Sequence, residues 1–283
     1  MSLTSRVETI HIDAKTVLKL IKYGLSFLPG KCRGQLLGME NDSVLEITDC
    51  FPVLTAEDAG VLGRLLEPLR SANWDFSVVG HFQCANLGTY LDMDLLKDQF
   101  KYQEDMQNMV SIVVDPESSA NGQFLLRAFQ LSDKFLECYS HNNFYSDSLT
   151  EIGLNYTDIW RELPVFVKNS SLVNVWLSQY RLEHGISRDA SLLAINPQIT
   201  LNQTINTLKG SVDALGAELR KFVNQANTVS KTRDRSLSKK TRAVGEPSHL
   251  LPMVSMSQLE RGCDFLERQV VDSVSTLDQL VLE

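Results

Sequence analysis

The chain has no C-x-x-C pair, no His-x-His or His-x-x-x-His spacing, and no uninterrupted apolar run of about 18 residues. Each absence removes a class of function. The five cysteines (Cys32, Cys50, Cys84, Cys138 and Cys263) are odd in number and lack ligand spacing. That argues against a structural zinc site and fits free thiols in a reducing cytosol. Without a long apolar run, no membrane span is expected. The opening residues carry no basic start followed by an apolar block, so no secretory leader is expected either. A net charge of -8 gives no global reason for strong nucleic-acid binding. What remains, 43% hydrophobic and 22% charged residues over 283 positions, is ordinary for one sizeable globular domain plus an extension, or for two small domains.

Along the chain the patterning alternates between strand and helix. Val7 to Ile12 alternates apolar and polar residues, and Asp13 then caps a helix carrying Val17, Leu18, Leu20 and Ile21. Two strands, Gly34 to Met39 and Val44 to Phe51, are joined by the turn residues Glu40 to Ser43. Ala56 to Ala72 reads as a helix that Pro68 kinks or ends early. A buried strand follows from Trp74 to Val79, then a helix from Leu91 to Tyr102. Apolar runs at Val110 to Val114, Phe124 to Leu131 and Phe135 to Tyr139 come next, with turns at Asp115 to Ser118 and Asn121-Gly122. Ile159 to Val167 is the last strand-like stretch before a helix from Ser170 to Glu183. The sum is a mixed sheet with helices against it.

Beyond Asn196-Pro197 the period changes. Leu201, Ile205, Leu208, Val212, Leu215, Leu219, Phe222, Ala226 and Val229 recur at alternating spacings of four and three. This places one narrow stripe along a helix of roughly 45 Å, the seam of a coiled coil or bundle. Met256, Leu259, Cys263, Leu266, Val270, Leu277 and Leu280 repeat that spacing, with Ser273 as a polar interruption. Closing as an antiparallel hairpin would satisfy one seam. Phe222 with Val223, and Val270 with Val271 and Val274, widen the apolar surface beyond that seam, so partner helices are the preferred reading. Between the stripes lie Lys231, Arg233, Arg235, Lys239, Lys240 and Arg242 against a single Asp234. With no aromatic interleaved for base stacking, this tract reads as a solvated flexible linker, and RNA contact is the functional alternative. The resulting layout is 1–168 for the sheet domain, 169–196 for connecting helices, 197–230 for a long bundle helix, 231–254 for a basic linker and 255–283 for a second bundle helix.

Gly80 to Leu96, GHFQCANLGTYLDMDLL, follows an apolar strand and leads into a helix. That layout resembles the MPN domain, whose active members carry His-x-His and, seven residues later, Ser-x-x-Asp around a zinc ion. The two histidine positions hold Gln83 and Ala85, the serine position Met93 and the aspartate position Leu96, while the position of the catalytic glutamate holds Lys31. An amide, a methyl, a thioether and an isobutyl group neither hold zinc nor activate water on it. No cofactor is therefore expected. Cys84, inside the motif but with no base beside it in sequence, reads as a small buried thiol rather than a nucleophile. The five scattered histidines read as core or surface residues.

Three strings sharpen the resemblance: SVLEITDCFPV (Ser43 to Val53), GHFQCANLGTYLDMDLLKDQFKYQ (Gly80 to Gln103) and PVFVKNSSLVNVWL (Pro164 to Leu177). They are similar to one non-catalytic MPN member of the core of eukaryotic translation initiation factor 3. The resemblance spans roughly the first two-thirds of the chain. It implies an α+β fold, an MPN-type mixed sheet flanked by helices with a C-terminal helical extension. It further implies a cytoplasmic structural component that pairs with a second MPN subunit, the f subunit, and sends its last helices into a shared bundle. The resemblance places the chain on the small ribosomal subunit through that complex. Non-catalytic MPN subunits of the proteasome lid and the signalosome share this architecture and are the nearest alternative. A zinc deubiquitinase is the alternative from another class, and it fails at Lys31, Gln83, Ala85 and Leu96 together.

Overall fold

A computed structural model describes residues 6–27, 32–53, 67–68, 70–71, 77–85, 90–116, 125–184, 197–236 and 248–281. The described residues form an α+β fold whose eight-stranded sheet has the order β7-β6-β5-β4-β2-β3-β1-β8. Its strands are β1 (Thr9–Asp13), β2 (Cys32–Asn41), β3 (Val44–Pro52), β4 (Val78–Cys84), β5 (Val110–Asp115), β6 (Leu125–Leu131), β7 (Trp160–Leu163) and β8 (Val165–Lys168). The β2–β3 pair is a tight hairpin in which Asp42 takes φ 51°, a left-handed conformation that aspartate tolerates. β1 lies parallel to both β3 and β8, and β4 parallel to β5. Helices α1 (Ala14–Phe27), α2 (Met93–Asp105), α3 (Asp133–Ser140), α4 (Ser146–Ile152), α5 (Ser171–His184), α6 (Pro197–Ser236) and α7 (Leu250–Val281) complete the described elements.

The residues group into two compact units that interleave along the chain. The first comprises 1–87, 101–130 and 162–196. Alternate residues of its strands build one core: Ile10, Ile12, Leu36, Leu45, Ile47, Phe82, Ile112, Val114 and Ala128, with Val17 and Leu20 of α1 packed among them. A polar clamp holds α1 in place. Thr16 Oγ1 donates to the Thr48 carbonyl at 2.8 Å, and the Asp49 carboxylate takes Lys19 Nζ at 2.6 Å and Lys15 Nζ at 3.5 Å.

The second unit comprises 88–100, 131–161 and 197–283. Phe135, Tyr139 and Phe144 stack around one another with centroids 5.7 to 6.0 Å apart. The same unit ties α7 down: His249 N–H donates to the Phe144 carbonyl at 3.0 Å, and Arg261 to the Trp160 carbonyl at 3.3 Å. Residues 88–100 and 131–161 group with the last two helices, and the His249 and Arg261 hydrogen bonds join 131–161 to α7.

Three local readings also change. The run Phe135 to Tyr139 is helical, since the Ser132 hydroxyl accepts from Phe135 N–H and caps α3. The stretch Ile159 to Val167 is two strands rather than one, with Pro164 between them and β7 and β8 at opposite edges of the sheet. Both ends of the stretch expected as a linker over 231–254 are helical. α6 continues through Lys231, Arg233 and Arg235 to Ser236, and α7 begins at Leu250, with Pro252 in its first turn where a missing N–H costs nothing. Lys239, Lys240 and Arg242 lie outside the described residues, as does most of the helix expected over 56–72.

Candidate functional site

β2, β4, β5 and β6 pair in register, so residues directly opposite share a face of the sheet. One row reads Gln35, His81, Ser111, Phe129; the next, two residues along, reads Arg33, Gln83, Val113, Arg127. This polar face is the reverse of the one that carries Phe82, Cys84 and the apolar core. Gln83 and Ser111 are wholly buried, and His81 nearly so. His81 lies against Tyr102 of α2 with ring centroids 5.0 Å apart. Among the described residues neither nitrogen of His81, neither side-chain polar atom of Gln83, nor Ser111 Oγ finds a hydrogen-bond partner.

Burial, with a smaller contribution from the Arg33 charge, pushes His81 down from its ordinary 6.5 to about 4. The consequence for stability has a definite sign. Folded His81 stays neutral until about pH 4, whereas unfolded His81 takes up a proton at about 6.5. Between those values the unfolded chain binds the extra proton, so stability falls as pH falls, by about 3 kcal/mol across the window. Urea titrations of wild type and His81→Phe at pH 7.0, 5.5 and 4.5 check this. The wild-type midpoint drops progressively toward low pH, and the variant loses that portion of the slope. Asp49, held below the usual carboxylate range by Lys19, Cys50 N–H and Lys15 against the opposing effect of burial, loses its contribution only below the histidine window.

The positions that would carry zinc fall as follows. Gln83 ends the polar face, and Ala85, buried just beyond β4, donates its N–H to the Val114 carbonyl at 3.1 Å. In the second unit Met93 opens α2, whose first turn the Asp92 carboxylate caps by accepting from Leu95 N–H at 2.9 Å, and Leu96 is wholly buried. Lys31 lies outside the described residues. Gln83 shares its row with two arginines, one of them Arg127, which is 3.7 Å from the Glu162 carboxylate. A second cation there would meet like charge from the side. Among the described residues, no group of three or more His, Cys, Asp or Glu could hold a metal.

The C-terminal stripes divide in an informative way. On α6, Leu215 is 8% exposed and Leu208 and Phe222 are half-buried, while Ile205, Val212 and Leu219 are 44%, 46% and 40% exposed. On α7 the buried residues are Val254, Ser257, Gly262 and Phe265, not the expected Met256-to-Val270 stripe. Leu259 and Leu266 are half-buried, and Met256, Cys263 and Val270 are exposed. The α6–α7 contact therefore uses one edge of each stripe. The other edge remains as two heptad-spaced rows, 205/212/219 and 256/263/270. Leu201 and Leu277 lie on the same helices, with side chains outside the described set.

Sequence patterning misses a second apolar surface. Along α5, residues 171–180 are all exposed, Leu172 at 82% and Trp176 at 61%, and Trp176 stacks on Tyr180 at 5.6 Å. Phe166 and Val167 of the edge strand β8 are exposed as well. The segment SLVNVWL carries five apolar residues in seven, on an arc wider than half of the helix.

Comparison with known proteins finds similarity to one subunit of a translation factor. Residues 119–242 match the family described as the C-terminal region of eIF3h. The H subunit of eukaryotic translation initiation factor 3 from Arabidopsis thaliana is 29% identical over 91% of this chain and 87% of its own length. The Nematostella vectensis protein of the same name is 28% identical over 99% of this chain and 87% of its own, and that of Emericella nidulans 34% over 60% and 53%. The chain is thus similar over most of its length to H subunits of translation initiation factor 3, and part of it matches the eIF3h C-terminal region. The match to residues 119–242 runs from β6 through the whole of α6 and so includes the exposed row of that helix. No helix among the described residues is long and apolar enough to cross a membrane.

Proposed function

We propose that the chain is a non-catalytic structural component of initiation factor 3. Its MPN-type domain docks on a second MPN subunit, the f subunit, and α6 and α7 enter a helical bundle with other core subunits. In this role it scaffolds mRNA recruitment and pre-initiation complex assembly on the small ribosomal subunit in the cytoplasm. The observation that carries the reading is the pair of exposed heptad rows, 205/212/219 and 256/263/270. Apolar rows of that length are covered in a working protein, and helices with the same spacing are what cover them. The apolar surface of α5 and β8 supports a separate dock for the f subunit, with Trp176 and Leu172 as anchors.

The domain has lost the zinc ligands of its active relatives, at Gln83, Ala85, Met93 and Leu96, and the base, at Lys31. Purified protein is expected to contain no stoichiometric zinc and to leave ubiquitin chains intact. Elemental analysis giving close to one zinc per chain, lost in Gln83→Ala, would overturn that. The docking claim is tested by co-expressing the full chain with the f subunit and measuring mass by size exclusion with light scattering. A one-to-one complex that Trp176→Asp dissociates is the expected result. Monomers at micromolar concentration, or a complex indifferent to Trp176→Asp, would contradict it.

A further inference from the structure

Two of the buried cysteines face each other across the sheet. Cys32 and Cys84 are direct register partners on the antiparallel strands β2 and β4, at 2% and 3% exposure. Opposed residues on such a rung have Cα atoms about 4.5 to 5.5 Å apart, inside the range of about 4.4 to 6.8 Å that a disulfide spans. As direct partners on one rung, their side chains point to the same face of the sheet. Cys84 Sγ also lies 3.9 Å from the Leu20 carbonyl of α1. α1 leaves room for it with Gly24, where a Cβ would sit 3.2 Å from that sulfur and 2.8 Å from Pro116 Cβ. The other described thiols are elsewhere. Cys50 pairs with Leu36, four residues along β2 from Cys32, which is about 14 Å at ~3.4 Å per residue. Cys138 and Cys263 belong to the second unit.

We propose that Cys32 and Cys84 form an oxidisable dithiol site, closed to a cross-strand disulfide by a small peroxide. The step balances as two thiols and one peroxide going to one disulfide and two waters. The Cys32 thiolate attacks a peroxide oxygen, the O–O bond breaks, sulfur is oxidised by two electrons to the sulfenic acid, and the departing hydroxide leaves as water with the Cys32 proton. Cys84 sulfur then attacks the Cys32 sulfur, the S–O bond breaks, and the departing hydroxide leaves as water with the Cys84 proton. The roles follow from the thiols' effect on each other. The Cys84 thiol beside it holds Cys32 below the usual thiol range against the opposing effect of burial, and Cys32 with burial raises Cys84, so Cys32 ionises first and Cys84 resolves. Cys50, pushed up to about 12 by burial and then by the Asp49 charge, does not compete.

The test uses the full chain, reduced, desalted and held native with millimolar hydrogen peroxide for hours, because burial slows access. After quenching with N-ethylmaleimide, unfolding and chymotryptic digestion, peptides are mapped by mass spectrometry without reductant. The expected result is an intramolecular Cys32–Cys84 link, with both thiols lost to alkylation and both recovered by dithiothreitol. In Cys84→Ser the link disappears and Cys32 is trapped by dimedone as the sulfenic acid. Recovery of both Cys32 and Cys84 alkylated while Cys263 is oxidised would overturn the proposal, as would a link from either one to Cys50. The linkage is read on the wild-type chain, so it stands or falls whether or not the variant folds.

Discussion

Leu219→Asp is expected to release the chain from its complex, at least tenfold by co-purification, while leaving its own melting curve within a degree or two. Leu219 is 40% exposed on α6, so a carboxylate there stays in water in the free chain. In the bundle the same carboxylate would be buried against apolar partners, at a cost of several kcal/mol unless paired, and about 1.4 kcal/mol already corresponds to tenfold in affinity. Leu215, one turn away and 8% exposed, reports the opposite behaviour. Leu215→Ala empties the α6–α7 contact and should lower the stability of the second unit by about 2–5 kcal/mol, in the free chain as in the complex. Two neighbouring leucines thus separate partner docking from internal packing. If Leu219→Asp destabilises the free chain as much as Leu215→Ala does, the exposed row is internal packing and the bundle reading fails.

The second large effect is at Gly38. A Cβ there would sit 1.9 Å from the Glu46 carbonyl oxygen of β3, at the bulge where the β2–β3 register shifts between Leu37 and Gly38. Backbone cannot rotate away as a side chain can, so Gly38→Ala has to part the two central strands. A loss of more than about 3 kcal/mol, with most of the protein found insoluble on expression, is the expected result. Gly210 and Gly216 serve as internal controls. Both lie on α6 with nothing within 4 Å of a built Cβ, so alanine there should stabilise by about 0.5–1 kcal/mol each through helix propensity. Chemical denaturation of the three variants ranks them. Near-neutral Gly38→Ala would mean that the strands do not approach as closely as this geometry requires.

Local signals in the sequence carried a good part of this account, and non-local ones marked where it stopped. The 40–43 turn, the α1 cap region and the two long C-terminal helices follow from turn residues and apolar period, which act over a few positions. Phe135 to Tyr139 was ambiguous because five residues span little more than one helical turn and also suit a buried strand; the cap at Ser132 decided it. Which half of each stripe is covered could not be read from spacing, since both halves are apolar and the choice rests on what α7 meets in its own unit. The same limit applies to Cys32 and Cys84. Each is legible alone as a buried thiol, but their apposition depends on the β2–β4 register across more than fifty intervening residues. On α5 the broad apolar face is legible from the sequence, but its exposure is not, since an apolar face of that width also suits a core.

The most direct test of the central claim is affinity purification of the tagged full chain from cells of its own organism, with component stoichiometry measured by quantitative mass spectrometry. The account predicts initiation factor 3 subunits at close to one copy each, the f subunit among them, and their loss in Leu219→Asp. Stoichiometric proteasome-lid or signalosome subunits in their place, or a chain recovered free of partners, would contradict it.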